Sequence, residues 1–244
     1  MQFFSKTVLG FAVLCGGLTQ LVQPASAGTI LSSADTYITQ YTALGGPNSN
    51  HGGDASLWIE GLGGQTGIYA TIPLVQFNLS AFAGQTVLGA PVVSLFLKDA
   101  GGAGDAVTQT IDLHQSLVAW QENTATWNNF GGSGFQTSDA GPTLSTRVVN
   151  WGSDKFTYVS WTVPASVVQS WIDNSGNNKG LFFFGSTPNG STDLLFSSKE
   201  GANAPQLTFQ TASVPLPKPA AVGLILLGGL GLISLTRRRF SLHA

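Results

Sequence analysis

Short runs in which apolar and polar residues alternate at every second position constrain the fold of this chain most. The alternation is clear in residues 75–79, 93–97 and 156–161, and glycine-rich turns such as 101–104 and 131–134 separate such runs. A period of two is that of a half-buried β-strand, and many short strands joined by turns indicate a sandwich or a barrel. Because 43% of the residues are hydrophobic and only 9% are charged, we exclude a disordered chain and a coiled coil.

Further strand candidates are residues 35–41, 56–60, 107–114, 180–185 and 206–211. A single helix is predicted after Pro164, because Val167, Val168, Trp171 and Ile172 then share one face at helical spacing. We expect this helix to cap one end of an all-β domain.

The first 27 residues have the three parts of a secretory signal peptide. Lys6 supplies a positive charge, residues 8–14 are apolar, and Ala25 and Ala27 are the small residues of a cleavage site. We predict that residues 1–27 are removed and that the mature chain begins at Gly28. The only cysteine, Cys15, lies inside this segment, so the mature chain is expected to have no disulfide.

The C-terminal end carries a second apolar segment. Residues 220–236 contain no charge, and 17 helical residues span about 26 Å, enough for a short transmembrane helix. The arginines that follow, Arg237, Arg238 and Arg239, indicate a cytoplasmic end. The preceding domain is therefore expected outside the cytoplasm.

A Val-Pro-x-Pro element, Val214-Pro215-Leu216-Pro217, lies just before this apolar segment. Together with the helix and the arginines, it resembles the PEP-CTERM sorting signal of Gram-negative bacteria, although Leu216 occupies a position where that family usually has Glu. The resemblance implies that an exosortase removes residues 214–244 and passes an inner-membrane anchored precursor to the cell surface or extracellular matrix. A plain membrane anchor is the alternative.

The domain between these ends, residues 28–213, is acidic. It holds all 12 acidic residues and five basic ones, Lys98, Arg147, Lys155, Lys179 and Lys199, so its net charge is 5 − 12 = −7. Because phosphate neutralisation by Lys and Arg supplies most nucleic-acid affinity, we do not expect a nucleic-acid partner.

Nine short segments of this domain form an ordered series: residues 34–38, 50–52, 57–59, 74–80, 92–97, Trp120-Gln121-Glu122, Thr126-Trp127-Asn128, 196–200 and 204–207. Taken together, they resemble DNRLRE (disaggregatase-related) domains. Gln76 and Lys199 stand where the family often has Arg. The resemblance implies a jelly-roll type of antiparallel β-sandwich and relatives that act as carbohydrate-binding modules.

No catalytic motif is visible in the domain. It lacks Gly-x-Ser-x-Gly and cysteine, and its two histidines, His51 and His114, do not have zinc-ligand spacing. Glu122 is interpreted as a structural residue that accepts hydrogen bonds from backbone N–H groups, with a general acid as the alternative.

Carbohydrate binding would use aromatic faces and a few polar groups. Trp127 and Trp151 lie in polar stretches and are the leading candidates, followed by Tyr69 and Lys98. Trp120 and Trp171 are predicted to belong to the core.

A structural calcium ion is also predicted. Asp35 is expected just before the first strand and Glu200 before the last. If those strands pair, both carboxylates can contribute to the six to eight oxygen ligands of Ca²⁺. The alternative is a pair of solvated acids.

Taken together, these features predict an exported, non-enzymatic surface or matrix protein that binds extracellular polysaccharide. The alternatives are a structural matrix protein without a sugar site and a polysaccharide-degrading enzyme.

Overall fold

The computed structural model describes residues 26–60, 71–101, 107–186 and 193–213. Residues 24–214 form one compact unit. Within the described ranges no helix is long and apolar enough to cross a membrane. The predicted span 220–236, the sorting element 214–217 and most of the predicted signal peptide lie outside those ranges, and these predictions stand untested.

Strands dominate the described residues, as the alternation predicts. The strands are β1 (Ser26–Thr39), β2 (Ser56–Glu60), β3 (Thr71–Phe77), β4 (Gln85–Gly101), β5 (Thr108–Ser116), β6 (Ala140–Asn150), β7 (Tyr158–Thr162), β8 (Leu181–Ser186), β9 (Asp193–Ser197) and β10 (Gln206–Ser213). Two α-helices accompany them, α1 (Trp151–Asp154) and α2 (Ala165–Asp173).

The strands form two antiparallel sheets that share the two longest strands. The first sheet runs β1–β10–β4–β7 through the N-terminal parts of β1 and β4. In the second sheet, the C-terminal part of β4 pairs with β9, which continues through β2, β3, β8 and β5 to β6. The C-terminal part of β1 also pairs with β3. This arrangement confirms a sandwich-like β fold.

The main core lies between the two sheets and is built from the inward positions of the alternating strands. It includes Leu57, Ile59, Val75, Phe77, Val93, Leu95, Leu97, Ile111, Leu113, Val159, Trp161, Leu181, Phe183, Leu194, Phe196, Leu207 and Phe209. The Trp161 indole N–H donates to the Ile111 carbonyl at 3.1 Å, so this buried polar group is satisfied. Helix α2 packs on this core through Val168, Trp171 and Ile172, which confirms the predicted helix and the core position of Trp171.

Three strand predictions need correction. β1 begins at Ser26, so Asp35 lies inside the first strand instead of before it; residues 26–31 pair with β10 and extend the strand. β6 and β9 were not among the predicted strands. Among the described strands, β6 pairs with β5 alone and is largely exposed. The buried run Leu194-Leu195-Phe196 in β9 does not alternate.

A second apolar cluster covers the outer face of the second sheet. That face presents Ile38, Ile72, Leu74, Phe182 and Phe184. Residues 117–139, which connect β5 to β6 and are here called the cover, lay further apolar side chains on it: Val118, Trp120, Ala125, Trp127, Phe130 and Phe135. The second sheet is therefore packed on both sides.

Candidate functional site

Four of the segments that carry the family resemblance, 34–38, 50–52, 120–122 and 196–200, meet in a polar cluster, here called the motif junction (Asp35, Asn50, Glu122, Lys199 and Glu200). The Glu122 carboxylate accepts a 2.8 Å hydrogen bond from the backbone N–H of Asp35. The Asn50 amide donates to the carbonyl oxygens of Glu122 and Ala125 at 2.6 and 2.9 Å. The Lys199 ammonium lies 3.2 Å from Glu122 Oε2 and also contacts Glu200. These bonds attach the cover to the sheet.

Glu122 therefore has the structural role that its sequence context predicts, since it accepts a hydrogen bond from a backbone N–H of β1. Gly52 shows how closely the segments approach. A Cβ atom at Gly52 would lie 2.4 Å from the Glu122 carbonyl oxygen and 2.6 Å from its Cγ, so only glycine fits there without a shift.

Asp35 and Glu200, the predicted calcium ligands, are brought together, and Glu122 joins them. One carboxylate oxygen from each of the three lies within 4.8 Å of the others. Asp35 is 1% exposed, and burial raises its pKa to about 6. Its Oδ2 accepts from Ser32 Oγ and from the Lys199 N–H, both at 2.9 Å, whereas its buried Oδ1 has no partner.

The cover also forms a groove of about 560 Å³, here called the Trp120 groove. Its lining residues are Val118, Ala119, Trp120, Gln121, Thr124, Ala125, Asn129, Phe130, Gly131 and Gly132. The loop is held by its own polar groups: the Asn129 amide donates to the Thr124 carbonyl at 2.6 Å and accepts from the Thr126 N–H at 2.8 Å. The volume lies in the usual range for small-ligand sites.

Trp120, predicted to be core, packs against the second apolar cluster but is only half-buried, and it also lines this groove. Its indole N–H donates to the Lys179 carbonyl at 2.8 Å, which fixes the ring position. Sequence reasoning placed this residue in the core because sandwich interiors use Trp freely. Its half-buried position depends on how the cover folds, and no local pattern near residue 120 indicates it.

Trp127 lies in the cover but does not line the groove. It is half-buried, packs with the second apolar cluster, and makes an edge contact with Phe135 at 5.1 Å. Trp127 therefore contributes to the packing of the cover on the second sheet.

Trp151 is the first residue of α1 and therefore lies outside the cover. Its side chain is partly buried against the main core. The ring of Phe156 lies 5.5 Å from it, and the Lys155 ammonium lies 5.9 Å from its ring centre. Phe156 itself is 64% exposed and has a φ of 60°, a left-handed conformation that is unfavourable for a bulky side chain. No sequence pattern indicated this.

Tyr69 lies outside the described residues. The ammonium of Lys98 donates to the Ala55 carbonyl at 2.9 Å, so this side chain ties β4 to the loop before β2. The described residues thus place Trp127 in the cover, Trp151 in α1 and Lys98 on β4.

A pair of acidic residues, one buried and one half-buried, lies where the end of β2 meets the start of β9. Glu60 is 4% exposed and stands opposite Asp193 in the strand register. Burial, with the neighbouring Asp193 charge, raises the Glu60 pKa to about 7, and burial raises the Asp193 pKa as well. Neither residue lines the Trp120 groove.

The outer face of the first sheet, here called the open face, differs from the covered face. Its residues are Thr29, Leu31, Val92, Ser94, Phe96, Tyr158, Ser160, Thr162, Gln206 and Thr208. None of these is charged and none is fully buried. Cross-strand hydroxyl contacts, such as Ser94 to Ser160 at 2.8 Å, satisfy the short polar side chains.

Comparison with known proteins adds one finding. The family model of carbohydrate-binding module family 96 matches residues 26–211, which is nearly all of the compact unit. A search of curated proteins found no match.

Proposed function

The chain belongs to carbohydrate-binding module family 96, and we propose that it is an exported bacterial surface or exopolysaccharide-matrix protein that binds extracellular polysaccharide. The membership supports carbohydrate binding and a polysaccharide partner. We also propose that the protein does not degrade its ligand, since the family is one of binding modules and the domain lacks a nucleophile motif.

The observation that carries the proposal is the composition of the Trp120 groove. Sugars are bound by aromatic faces and by a few oriented polar groups. In the groove, Trp120 supplies the aromatic surface, and the exposed Gln121 and Thr124 supply amide and hydroxyl groups beside it. We therefore propose the groove as the sugar site, in place of Trp151 or Lys98.

Filling the groove tests this assignment. Ala119 is exposed and lines the groove, so Ala119→Trp should block it without removing a core contact. We expect binding of the full chain to a polysaccharide panel, in affinity electrophoresis, to fall about tenfold or more, equivalent to at least ~1.4 kcal/mol. The matched control is Leu31→Trp on the open face, which should bind as the wild type does. Equal binding by both variants would contradict the assignment.

Export and sorting rest on the sequence of the two ends. We propose that residues 1–27 are a signal peptide and that residues 214–244 are a PEP-CTERM sorting tail removed by an exosortase. Replacing Pro215 and Pro217 by Ala should leave the full-size protein in the inner-membrane fraction, whereas the wild type should appear in the surface or matrix fraction at a smaller mass. Unchanged processing would favour a plain anchor.

We further propose that the motif junction holds a structural Ca²⁺, with Asp35, Glu122 and Glu200 as ligands. The buried, unpartnered Asp35 Oδ1 and two further carboxylates within 4.8 Å suit a hard cation that prefers oxygen. The Lys199 ammonium contacts two of these carboxylates and would have to leave them.

Thermal unfolding in Ca²⁺ and in EGTA tests the ion. Calcium should raise the Tm of the wild type and should raise that of Lys199→Met more, because this variant lacks the competing ammonium. Asp35→Asn should abolish the shift. Identical Tm values for Lys199→Met in Ca²⁺ and EGTA would contradict the proposal.

A further inference from the structure

We infer that the domain has a second saccharide-binding site, here called the Trp171 groove, beside the C-terminal end of α2. The inference rests on the proposed function and adds a second place at which the same polysaccharide is held. The groove has a volume of about 480 Å³, within the usual range for small-ligand sites. It is lined mainly by the turn between β3 and β4, the end of α2 and the residues that follow this helix.

Trp171 gives the groove a buried hydrogen-bond donor that has no acceptor. The residue is 1% exposed and lines the groove, and its indole N–H has no hydrogen-bond partner. Trp161 and Trp120 differ, because their indole N–H groups donate to carbonyl oxygens at 3.1 and 2.8 Å. Leaving a buried donor unpaired is unfavourable. A ligand oxygen that accepts from Trp171 removes this cost, so the indole favours binding of a ligand that carries such an oxygen.

The other polar groups of the lining match a ligand with several hydroxyl groups. They include the amides of Gln76 and Asn178, the hydroxyl groups of Ser80 and Ser175, and the carboxylate of Asp173. Amides and hydroxyls donate and accept hydrogen bonds, whereas a carboxylate only accepts them. Each hydroxyl group of a sugar can also do both, so a saccharide satisfies this mixed set of donors and acceptors.

Hydrogen bonds within the domain hold the walls of the groove in place. The Gln76 amide donates to the Asn178 carbonyl, and the Asn178 amide donates to the Phe77 carbonyl, both at 2.6 Å. On the helix side, the Gln169 amide donates to the Asp173 carboxylate at 2.8 Å. A site whose side chains are already ordered loses less conformational entropy when it binds a ligand.

The Trp171 groove and the Trp120 groove are neighbours, because Gly180 closely approaches a lining residue of each. A Cβ atom at Gly180 would lie 3.2 Å from Trp120 Nε1 and 3.4 Å from Gln76 Cβ. A polysaccharide chain long enough to pass this residue can therefore enter both grooves. Binding in one groove then raises the effective concentration of the chain at the other and increases the overall affinity.

Two alanines of one turn provide a blocking variant and its matched control. Ala83 is exposed and lines the Trp171 groove, so Ala83→Trp should block it. Ala81 is also exposed but is not a lining residue, so Ala81→Trp adds the same side chain outside the groove. Affinity electrophoresis uses the full chain, in a detergent without a sugar headgroup, with galactomannan, xylan, pectin and alginate as probes. Ala119→Trp and the double variant with Ala83→Trp are compared in the same gels.

A nuclear magnetic resonance measurement observes the indole N–H itself. The full chain is isotope-labelled at the indole nitrogen of tryptophan, and the Trp171 signal is identified by its loss in Trp171→Phe. A partial hydrolysate of the polymer that retards the wild type should shift this signal. The shift should persist in Ala119→Trp, which leaves the Trp171 groove open, and should disappear in Ala83→Trp.

We expect Ala83→Trp to weaken retardation about fivefold or more and the double variant to weaken it further, whereas Ala81→Trp should behave as the wild type does. Retardation of Ala83→Trp equal to that of the wild type, or a Trp171 signal that the hydrolysate does not shift, would overturn the inference and leave the proposed function standing. Weakening by Ala83→Trp but not by Ala119→Trp would support the Trp171 groove and overturn the Trp120 groove. No retardation of the wild type by any polymer would overturn both.

Discussion

The outer faces of the two sheets differ in side-chain composition and in whether another segment is packed on them. The second sheet presents large apolar residues such as Ile72, Phe182 and Phe184, and the cover is packed on them. The outer face of the first sheet presents Thr, Ser and Gln side chains with a few apolar ones, and each of these residues is at least partly exposed. A face made of Phe and Ile gains free energy when it is covered, whereas a face of hydroxyls satisfied in pairs gains little. The comparison teaches that the groove is a product of this packing, since it forms in the segment that covers the apolar face.

The covered face also depends on polar bonds that attach the cover to the rest of the domain. The cover is irregular, so it needs specific polar attachments, and Asn50 and Glu122 provide them at the motif junction. The motifs that carry the family resemblance thus hold the cover in place, and the groove lining itself includes few of them. We expect variants of the cover to affect both stability and binding, and variants of the open face to affect neither strongly.

The largest effect is expected from Phe130→Ala. Phe130 belongs to the cover, is 2% exposed, packs against Phe182 with 5.4 Å between ring centres, and also lines the groove. Removing its ring should lower the free energy of unfolding by about 3–5 kcal/mol in urea denaturation and should abolish polysaccharide binding. Phe96→Ala on the open face is the matched control, and a comparable loss there would break the comparison.

The second effect concerns the attachment of the cover. Gly52→Ala places a Cβ against Glu122, so we expect a loss of about 1–3 kcal/mol in the same measurement. The neighbouring Gly53 has no atom within 4 Å of such a Cβ, and Gly53→Ala should be close to neutral. Equal losses in the two variants would show that the close approach at Gly52 has no energetic consequence.

The third effect is a dependence of the free energy of unfolding on pH. It is expected from Glu60 in the second sheet, whereas the open face has no carboxylate and should contribute none. The Glu60 pKa is raised from 4.5 to about 7, so the folded state binds more protons than the unfolded state between these values. The stability contribution of the protonated form is therefore lost as pH rises through the folded pKa, about 1 kcal/mol between pH 6 and pH 8. Glu60→Gln should remove most of this fall, measured by urea denaturation at both pH values. A wild type equally stable at both would contradict the assignment.

The smallest change in stability is expected at Phe156, which belongs neither to the cover nor to the open face. Its left-handed φ of 60° is unfavourable for Phe and acceptable for Asn. Phe156→Asn should therefore raise the free energy of unfolding by about 0.5 kcal/mol, whereas Phe156→Ala, which keeps a Cβ without the polar group, should not. A loss of stability in Phe156→Asn would mean that the contact with Trp151 outweighs the backbone strain.

Much of the sandwich could be predicted from the sequence, because alternation reports one buried face directly. The strand at 93–97, helix α2 and the meeting of Asp35 with Glu200 follow from local patterns and from pairing of the first and last strands. The cover could not be predicted in the same way, because residues 117–139 have no regular period. Its packing partners lie on strands distant in sequence.

The sequence does contain one indication that the second sheet is covered on its outer face. The run Leu181-Phe182-Phe183-Phe184 is apolar at consecutive positions, which is typical of a strand buried on both sides. It identifies β8 as a strand that needs a cover. The half-exposed position of Trp120 depends on how that cover folds, and no local pattern near residue 120 encodes it.

Hydrogen exchange with and without a saturating polysaccharide ligand tests the central claim most directly, because it reports both faces in one experiment. The claim is that the cover of the second sheet forms the binding site. The account predicts slower exchange in residues 118–132 on ligand addition and unchanged exchange in β7 and β10. Slower exchange in β7 and β10, with residues 118–132 unchanged, would contradict it and would assign binding to the open face.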